Sequence, residues 1–394
     1  MCVYVRSKHV RGLTLIPPVG KGFPSMSSLS RRRFLAVAPL TLGGASMLTA
    51  CSFGHDPGGY AAVAKRDRQT NPRAGIEGAA LSRELVRYAT LAPSSHNTQC
   101  WKFALETQAV TLFPDLLRRC PAVDPDDHHV FVSLGCATEN LVHAALAHGL
   151  KAEARFDAAR EAVHIALLPT RAEASALFDA IPVRQCTRGD YDSMPLSTAE
   201  LALLERAGTS ETVQMLVITE HVAVERVLEY IVQANTAQMA DAAFIKELES
   251  WIRFNGSAAI RTGDGLYRGC TGNPKIPTWL GDLAFGWFYE PKSENEKYVR
   301  QIRSSAGLAI FVGRTADKAN WVDVGRCYER FALQAASLGI RNAFLNQPVE
   351  VQAVRPQFAT ALGLTGQRPD LVVRFGRGPG MPLSLRRSVQ AVLT

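Results

Sequence analysis

The chain has 394 residues, 47% of them hydrophobic, 20% charged and 8% aromatic, a balance that suits a folded soluble body and excludes wholesale disorder, collagen, coiled coil and a multi-span membrane protein. Its formal charge of +8 gathers at the start, where Arg6, Lys8, Arg11, Lys21, Arg31, Arg32 and Arg33 meet no Asp or Glu before residue 50. The rest is nearly neutral, which excludes a phosphate-tracking nucleic-acid surface.

Ser30-Arg31-Arg32-Arg33-Phe34-Leu35 opens an uncharged run to Ala50. A charged start, an apolar middle and small residues at the end make the layout of an export signal, and this one resembles a twin-arginine signal over residues 30–50. Pro39, Gly43 and Gly44 would weaken a buried helix here, and the run is too short to span a bilayer. Leu48-Thr49-Ala50-Cys51 resembles a lipobox, in which the Cys51 thiol is acylated and becomes the new N-terminus. Residues 1–50 are therefore expected to be a leader, with Met26 an alternative start, and the product a periplasmic, membrane-anchored lipoprotein. Residues 51–80, rich in Gly and Pro, read as a tether.

Ser82 is expected to cap a helix carrying Leu85, Tyr88, Ala89 and Ala92, which Pro93 stops. Short apolar strands are predicted at 110–113, 163–167, 215–218, 308–312 and 371–375, and a long apolar-periodic helix near 222–254. Val132-Ser133-Leu134-Gly135 and Glu139 recur as Val322-Asp323-Val324-Gly325 and Glu329, at an offset of 190. Small residues on both segments would let two helices approach closely in a shared core. A second match runs at an offset of 115, between the helix before Pro93 and the helix begun by the capping box Ser197/Glu200. The later half thus carries an insertion at about 222–300, with Thr262-Gly263-Asp264-Gly265-Leu266 and the aromatics Trp279, Phe285, Trp287, Phe288 and Tyr289.

No C-x-x-C and no His/Cys cluster of zinc spacing occurs, so no metal is indicated, and His128 and His129 after Asp126 and Asp127 read as a solvent-facing loop. The alternation of helices and strands is irregular, which suits α+β with helices around a central, mostly antiparallel sheet.

Ala92-Pro93-Ser94-Ser95-His96-Asn97-Thr98-Gln99-Cys100-Trp101 resembles the A-P-S-x-x-N-x-Q-P-W loop of the nitroreductase-like flavoproteins, with Cys100 standing where that family has proline. Its hydroxyls, amides and backbone N–H groups offer the polar edge that a flavin ring needs. Arg184-Gln185-Cys186-Thr187-Arg188 resembles the family's R-x-S/T-x-R segment. The resemblance implies that Arg184 holds the phosphate of flavin mononucleotide (FMN) and Arg188 the ring, where negative charge develops on reduction. Pro93, Ser94, Ser95, Asn97, Gln99, Cys186 and Thr187 would complete the cofactor's shell. Val372-Val373-Arg374-Phe375-Gly376 and then Arg386-Arg387 resemble the closing strand and distal phosphate-binding arginine, with either Arg386 or Arg387 in that role.

In this family the cofactor lies between two subunits. Here the serine-asparagine loop falls in a first half, 81–180, and the arginines in a second, 181–394, so the resemblance implies a fused internal pseudo-dimer of the Acg-like branch, monomeric and holding one FMN. The implied activity is hydride transfer through FMN, with NAD(P)H as a possible donor and a nitro compound, quinone or similar small molecule as acceptor. The alternative is a flavin-binding or sequestering protein without turnover, its FMN covered by the insertion.

Overall fold

The computed structural model describes residues 59–70, 75–271 and 290–394; the leader, Cys51, residues 52–58 and the aromatics between 279 and 289 lie outside the described residues. Two antiparallel four-stranded sheets stand where one central sheet was expected. Trp101–Glu106 (β1), Ala109–Pro114 (β2), Leu150–Asp157 (β3) and Ala162–Pro169 (β4) form the first, in the order β1-β2-β4-β3. Val213–Ile218 (β5), Gly307–Gly313 (β8), Arg341–Phe344 (β9) and Pro369–Gly376 (β10) form the second, in the order β5-β8-β10-β9. Ile252–Arg253 (β6) and Leu266–Tyr267 (β7) make a small parallel pair. All five predicted strands are present, and the class is α+β as expected.

Strands β8 and β10 are buried at every position, as their unbroken apolar runs require. Alternate residues serve different cores. Ala309, Phe311, Leu371 and Val373 face the main core, whereas Leu308, Ile310, Val312 and Val372 face a second one with Val227, Leu228 and Ile231. Those last three belong to the insertion, whose predicted long helix near 222–254 is broken into two, His221–Ala240 and Ala242–Trp251. The break is chemical. Asp241 is extended and accepts Ala243 N–H at 2.8 Å, capping the second helix.

The main core is built on the two repeated segments, which are the helices His128–Ala147 and Lys318–Ser337. A Cβ at Gly135 would lie 2.0 Å from the Val322 carbonyl oxygen, and one at Gly325 would lie 1.9 Å from that of Val132. The contact is therefore reciprocal at the offset read from the sequence, and only glycine allows backbones this close. Glu139 bridges the same helices, accepting from Arg326 Nε at 2.9 Å and pairing with Arg330 at 3.2 Å. Burial opposes its charge, but the His143 hydrogen bond and the Arg330 and Arg326 charges outweigh burial and hold its carboxyl well below the usual range. A carboxyl lowered on folding stabilises the native state above its unfolded value near 4.5, and that contribution is lost as pH falls below it. Urea unfolding midpoints should therefore drop less between pH 5 and 3 in Glu139→Gln than in the parent; equal slopes would refute this.

Three further expectations need correction. Ser82 is not a cap: the helix begins at Gly78, with Glu77 at its N-cap, and Ser82 Oγ donates back to Gly78 O at 3.3 Å. His128 and His129 are 1% and 4% exposed, because Asp124 Oδ2 accepts the N–H groups of His129 and Val130 at 2.9 and 3.2 Å and starts the helix there. The tether region contains a helix, Gly59–Asp67, whose Tyr60 and Ala64 pack on Ala259, Tyr267 and Leu385. The capping box of Ser197 and Glu200 forms as predicted.

Candidate active site

Leu91 ends the helix Gly78–Thr90, and the chain then makes a tight turn at Ser95–Asn97. His96, Asn97 and Gln99 all have left-handed backbone, with φ of 48°, 54° and 55°. Such residues cost about 1–3 kcal/mol each and persist only where their surroundings fix them. Here the fixing groups are explicit. Ser94 Oγ accepts Gln99 N–H at 2.9 Å. Asn97 Nδ2 donates to the carbonyls of Gly265 and Leu385, each at 3.2 Å. Gln99 Nε2 donates to Gly263 O at 2.8 Å, and its Oε1 accepts Arg387 N–H at 2.8 Å. Gly265 is required in this clasp, since its φ is +77° and a Cβ would lie 2.5 Å from Trp251 O. Asp264, between the two glycines, pairs with Arg118 and with Arg253.

The clasp shapes one end of an open cleft of about 220 Å³. Pro93, Ser94, Ser95 and His96 line it from the loop, Val132 and Ser133 from the core helix, and Arg188 from the arginine segment. Phe344 ends β9, Asn346, Gln347 and Glu350 follow it, and Gln238, Lys297 and Tyr298 come from the insertion. Among the described residues, three buried polar atoms bordering this space make no hydrogen bond: Oε1 of Gln347 and both ring nitrogens of His129, whose Nδ1 lies 3.8 Å from Glu350 Oε1. Burial, together with the charge of Arg188, pulls His96 down to about 4. Burial pushes Glu350 up to about 7 against its hydrogen bond from Gln238 Nε2, 2.7 Å long.

The structure brings only some of the predicted site residues together. Pro93, Ser94, Ser95 and Arg188 meet on the cleft, whereas Asn97 and Gln99 are spent on the clasp. Thr187 is buried, its N–H given to Asn342 O at 2.9 Å, and Cys186 Sγ lies 4.0 Å from the Tyr328 hydroxyl; neither lines the cleft. Arg374, 0% exposed, holds this segment by donating to the carbonyls of Thr187 and Gly189 at 3.1 and 2.7 Å.

Arg184 and Arg386 stand behind the loop in a file of guanidinium groups. Arg184 pairs with Glu329 at 3.0 Å and donates to Leu91 O at 2.7 Å. Arg386 donates to the same Leu91 O at 2.9 Å, to Thr90 O at 2.6 Å and to Asn97 Oδ1 at 3.1 Å. It also shares the Ser384 carbonyl with Arg68, at 3.3 and 3.2 Å. Arg387 turns away, to Ala391 O at 2.8 Å and towards Asp115. Arg68 was read as tether, yet it is 6% exposed with Nε and Nη1 unpartnered. Sequence reasoning also missed Asn346, Gln347, Glu350 and His129. The repeat could have led to the first three, because they follow the strand after the second copy's helix.

No family model matches the chain. A Mycobacterium tuberculosis (strain ATCC 25618 / H37Rv) protein named "Putative NAD(P)H nitroreductase Rv3131" is 25% identical over 324 residues, 79% of this chain and 90% of its own length. Another from that strain, with acg in place of Rv3131 in its name, is 23% identical over 319 residues, covering 78% of this chain and 93% of itself. Among solved structures, a nitroreductase with bound FMN from Bacteroides fragilis NCTC 9343 aligns with 52% of this chain and 90% of its own, with a TM-score of 0.33 and 18% identity. Over most of its length, the chain is thus similar to proteins named as NAD(P)H nitroreductases.

Proposed function

We propose that the chain is an FMN-dependent oxidoreductase of nitroreductase type, drawing electrons from NAD(P)H and passing them to a nitro compound, a quinone or a similar small acceptor. The observation that carries this reading is the meeting of Pro93, Ser94 and Ser95 with Arg188 on one cleft bordered by orphaned polar atoms. The relatives' names agree with it.

The residues present suit FMN. FMN, when bound, supplies the hydride and electron chemistry. Ser94, Ser95 and Gln347 would hold polar groups of the ring and its side chain, and Arg188 would stabilise negative charge on the ring. The phosphate would fall to the arginine file. Among the described residues, Arg68, Arg184 and Arg386 there face only Asp67 and Glu329 as near carboxylate counter-charges, and an anion would balance the excess. Glu350, whose carboxyl burial pushes up to about 7, would be able to hold a proton on the cleft wall.

Loop and arginine come from different halves, so the chain would act as its own dimer and bind one FMN, as a monomer. In the later half Gly208, Thr209 and Thr212 stand at the place of Pro93, Ser94 and Asn97, which supports loss of the reciprocal site. The Arg31-Arg32-Arg33 signal and Cys51 support twin-arginine export and a periplasmic lipid anchor. A second reading, FMN held without turnover, draws on the clasp of Asn97 and Gln99 to Gly265 and Gly263, which would restrict access to the cleft.

Purification with FMN should return about one flavin per chain, and a nitroaromatic or quinone should reoxidise the NAD(P)H-reduced protein rapidly. A reduced flavin that stays reduced would favour the second reading, and a protein that takes up no flavin would refute both. Arg188→Ala should lower acceptor turnover about 100-fold, the scale of losing one charge-stabilising group, with little change in thermal stability because its guanidinium makes no hydrogen bond or ion pair among the described residues. Unchanged turnover would remove Arg188 from the mechanism.

A further inference from the structure

A sulfur, a nitrogen and a carboxylate converge behind the cleft wall, of which His96 is part, although their sequence positions do not suggest it. His96 belongs to the strained loop, Cys120 follows β2 by a short turn, and Glu247 lies on the insertion helix Ala242–Trp251. His96 Nδ1 and Cys120 Sγ are 3.4 Å apart, and a ring nitrogen of His96, the Cys120 sulfur and a Glu247 carboxylate oxygen lie within 4.8 Å of one another. We propose that His96, Cys120 and Glu247 form a binding site for one divalent transition-metal ion of zinc or cobalt type.

The spacing fits that ion. Zinc–sulfur and zinc–nitrogen bonds of about 2.3 and 2.0 Å at a tetrahedral angle put their ligand atoms about 3.5 Å apart. The carboxylate is already oriented, because its Oε2 accepts Ala122 N–H at 2.9 Å and its Oε1 accepts Val123 N–H at 3.2 Å; each oxygen keeps a lone pair for a metal. Ordered carboxylates of this kind are what ligation requires. The sulfur is fixed as well, with the Cys120 carbonyl accepting Asp124 N–H at 2.7 Å and the side chain 2% exposed. His96 is held by its left-handed turn and lines the cleft, as do Val123, Phe244 and Leu248 around the other two ligands. Three protein ligands of mixed sulfur, nitrogen and oxygen leave a fourth position open, the pattern of a catalytic rather than a structural zinc site. On binding, the thiol proton leaves to solvent and a metal–sulfur bond takes its place.

A neighbouring group, Asp124, His128 and His129, is as closely set but is committed elsewhere. Asp124 Oδ2 caps the core helix, and His128 Nε2 lies 2.9 Å from Asp370 Oδ1.

The test is zinc X-ray absorption on the full chain, stripped with a chelator and reloaded with one equivalent of zinc; it reads the metal whether or not flavin is bound. The expected spectrum has one sulfur at about 2.3 Å with nitrogen and oxygen near 2.0 Å. Cys120→Ser should erase the sulfur shell and weaken zinc binding by at least the roughly 100-fold that losing an outer-shell partner can cost. Glu247→Gln should weaken binding but keep the sulfur. Zinc bound without sulfur, a sulfur shell that survives Cys120→Ser, zinc lost in His129→Ala, or no stoichiometric zinc at micromolar concentration would each overturn the proposal. If circular dichroism shows Cys120→Ser unfolded, the parent spectrum together with loss of one nitrogen ligand in His96→Ala decides.

Discussion

Gly325→Ala should lose about 3 kcal/mol or more of unfolding free energy, at the upper end of what overpacking costs. Its Cβ would sit 1.9 Å from Val132 O, 2.8 Å from Val132 C and 3.0 Å from the Gly135 Cα. All three are backbone atoms of a buried helix, so no side chain can swing aside to make room. The two core helices would have to separate, opening voids between them and stretching the pairs of Glu139 with Arg326 and Arg330. Gly135→Ala should behave alike, because the contact is reciprocal. Gly189→Ala is the control: among the described residues its Cβ would meet only Met381 Sδ, at 3.7 Å, and its cost should be small. Urea unfolding of the three variants checks this; a loss under about 1 kcal/mol in both core variants would mean that the helices do not pack backbone to backbone.

Glu329→Ala should be similarly damaging, by about 3–5 kcal/mol, the usual cost of stranding one partner of a buried ion pair. Glu329 is 0% exposed, and Arg184, its partner at 3.0 Å, is 2% exposed. Removal of the carboxylate would leave Arg184 beside Arg386 and Arg68 with no near carboxylate except Asp67 among the described residues. The double variant Arg184→Met/Glu329→Leu should recover most of the loss, since an apolar pair of similar volume carries no desolvation penalty. The same series weighs the two roles open to Arg184. A structural Arg184 makes Arg184→Ala unstable in the flavin-free protein. A phosphate ligand alone would lower flavin affinity and leave the melting of the flavin-free protein unchanged. Added FMN should raise the melting temperature of Glu329→Ala more than that of the parent if the phosphate binds in the arginine file, because the anion would replace the missing charge.

Much of the architecture was readable in the residues. Unbroken apolar runs of the second sheet marked its buried strands, Ser197 and Glu200 marked a helix start, and the glycine repeat at Gly135 and Gly325 anticipated a close helix contact. These are local signals or self-comparisons, and they need no knowledge of distant neighbours. The failures share a cause as well. His128 and His129 look solvated because charged neighbours precede them, yet Asp124 turns its carboxylate inward to start a helix, which the string of letters does not reveal. Asn97 and Gln99 have the chemistry of cofactor ligands, but Gly263 and Gly265, more than 160 residues away, use their hydrogen bonds first. Arg68 sits among glycines and prolines and reads as linker. Folding places it beside Arg386, where a guanidinium with unpartnered nitrogens acquires meaning.

By itself, then, the sequence determined the fold class and the repeated core helices, because periodicity, capping and small-residue spacing act over a few residues; the two segments that meet at the cleft were marked by their resemblance to a family's motifs. Only the tertiary structure decided which polar groups remain free to bind a ligand. A hydrogen bond or ion pair is claimed by the partner that folding brings nearest, and in this chain those partners come from the insertion, the C-terminal tail and the helix Gly59–Asp67.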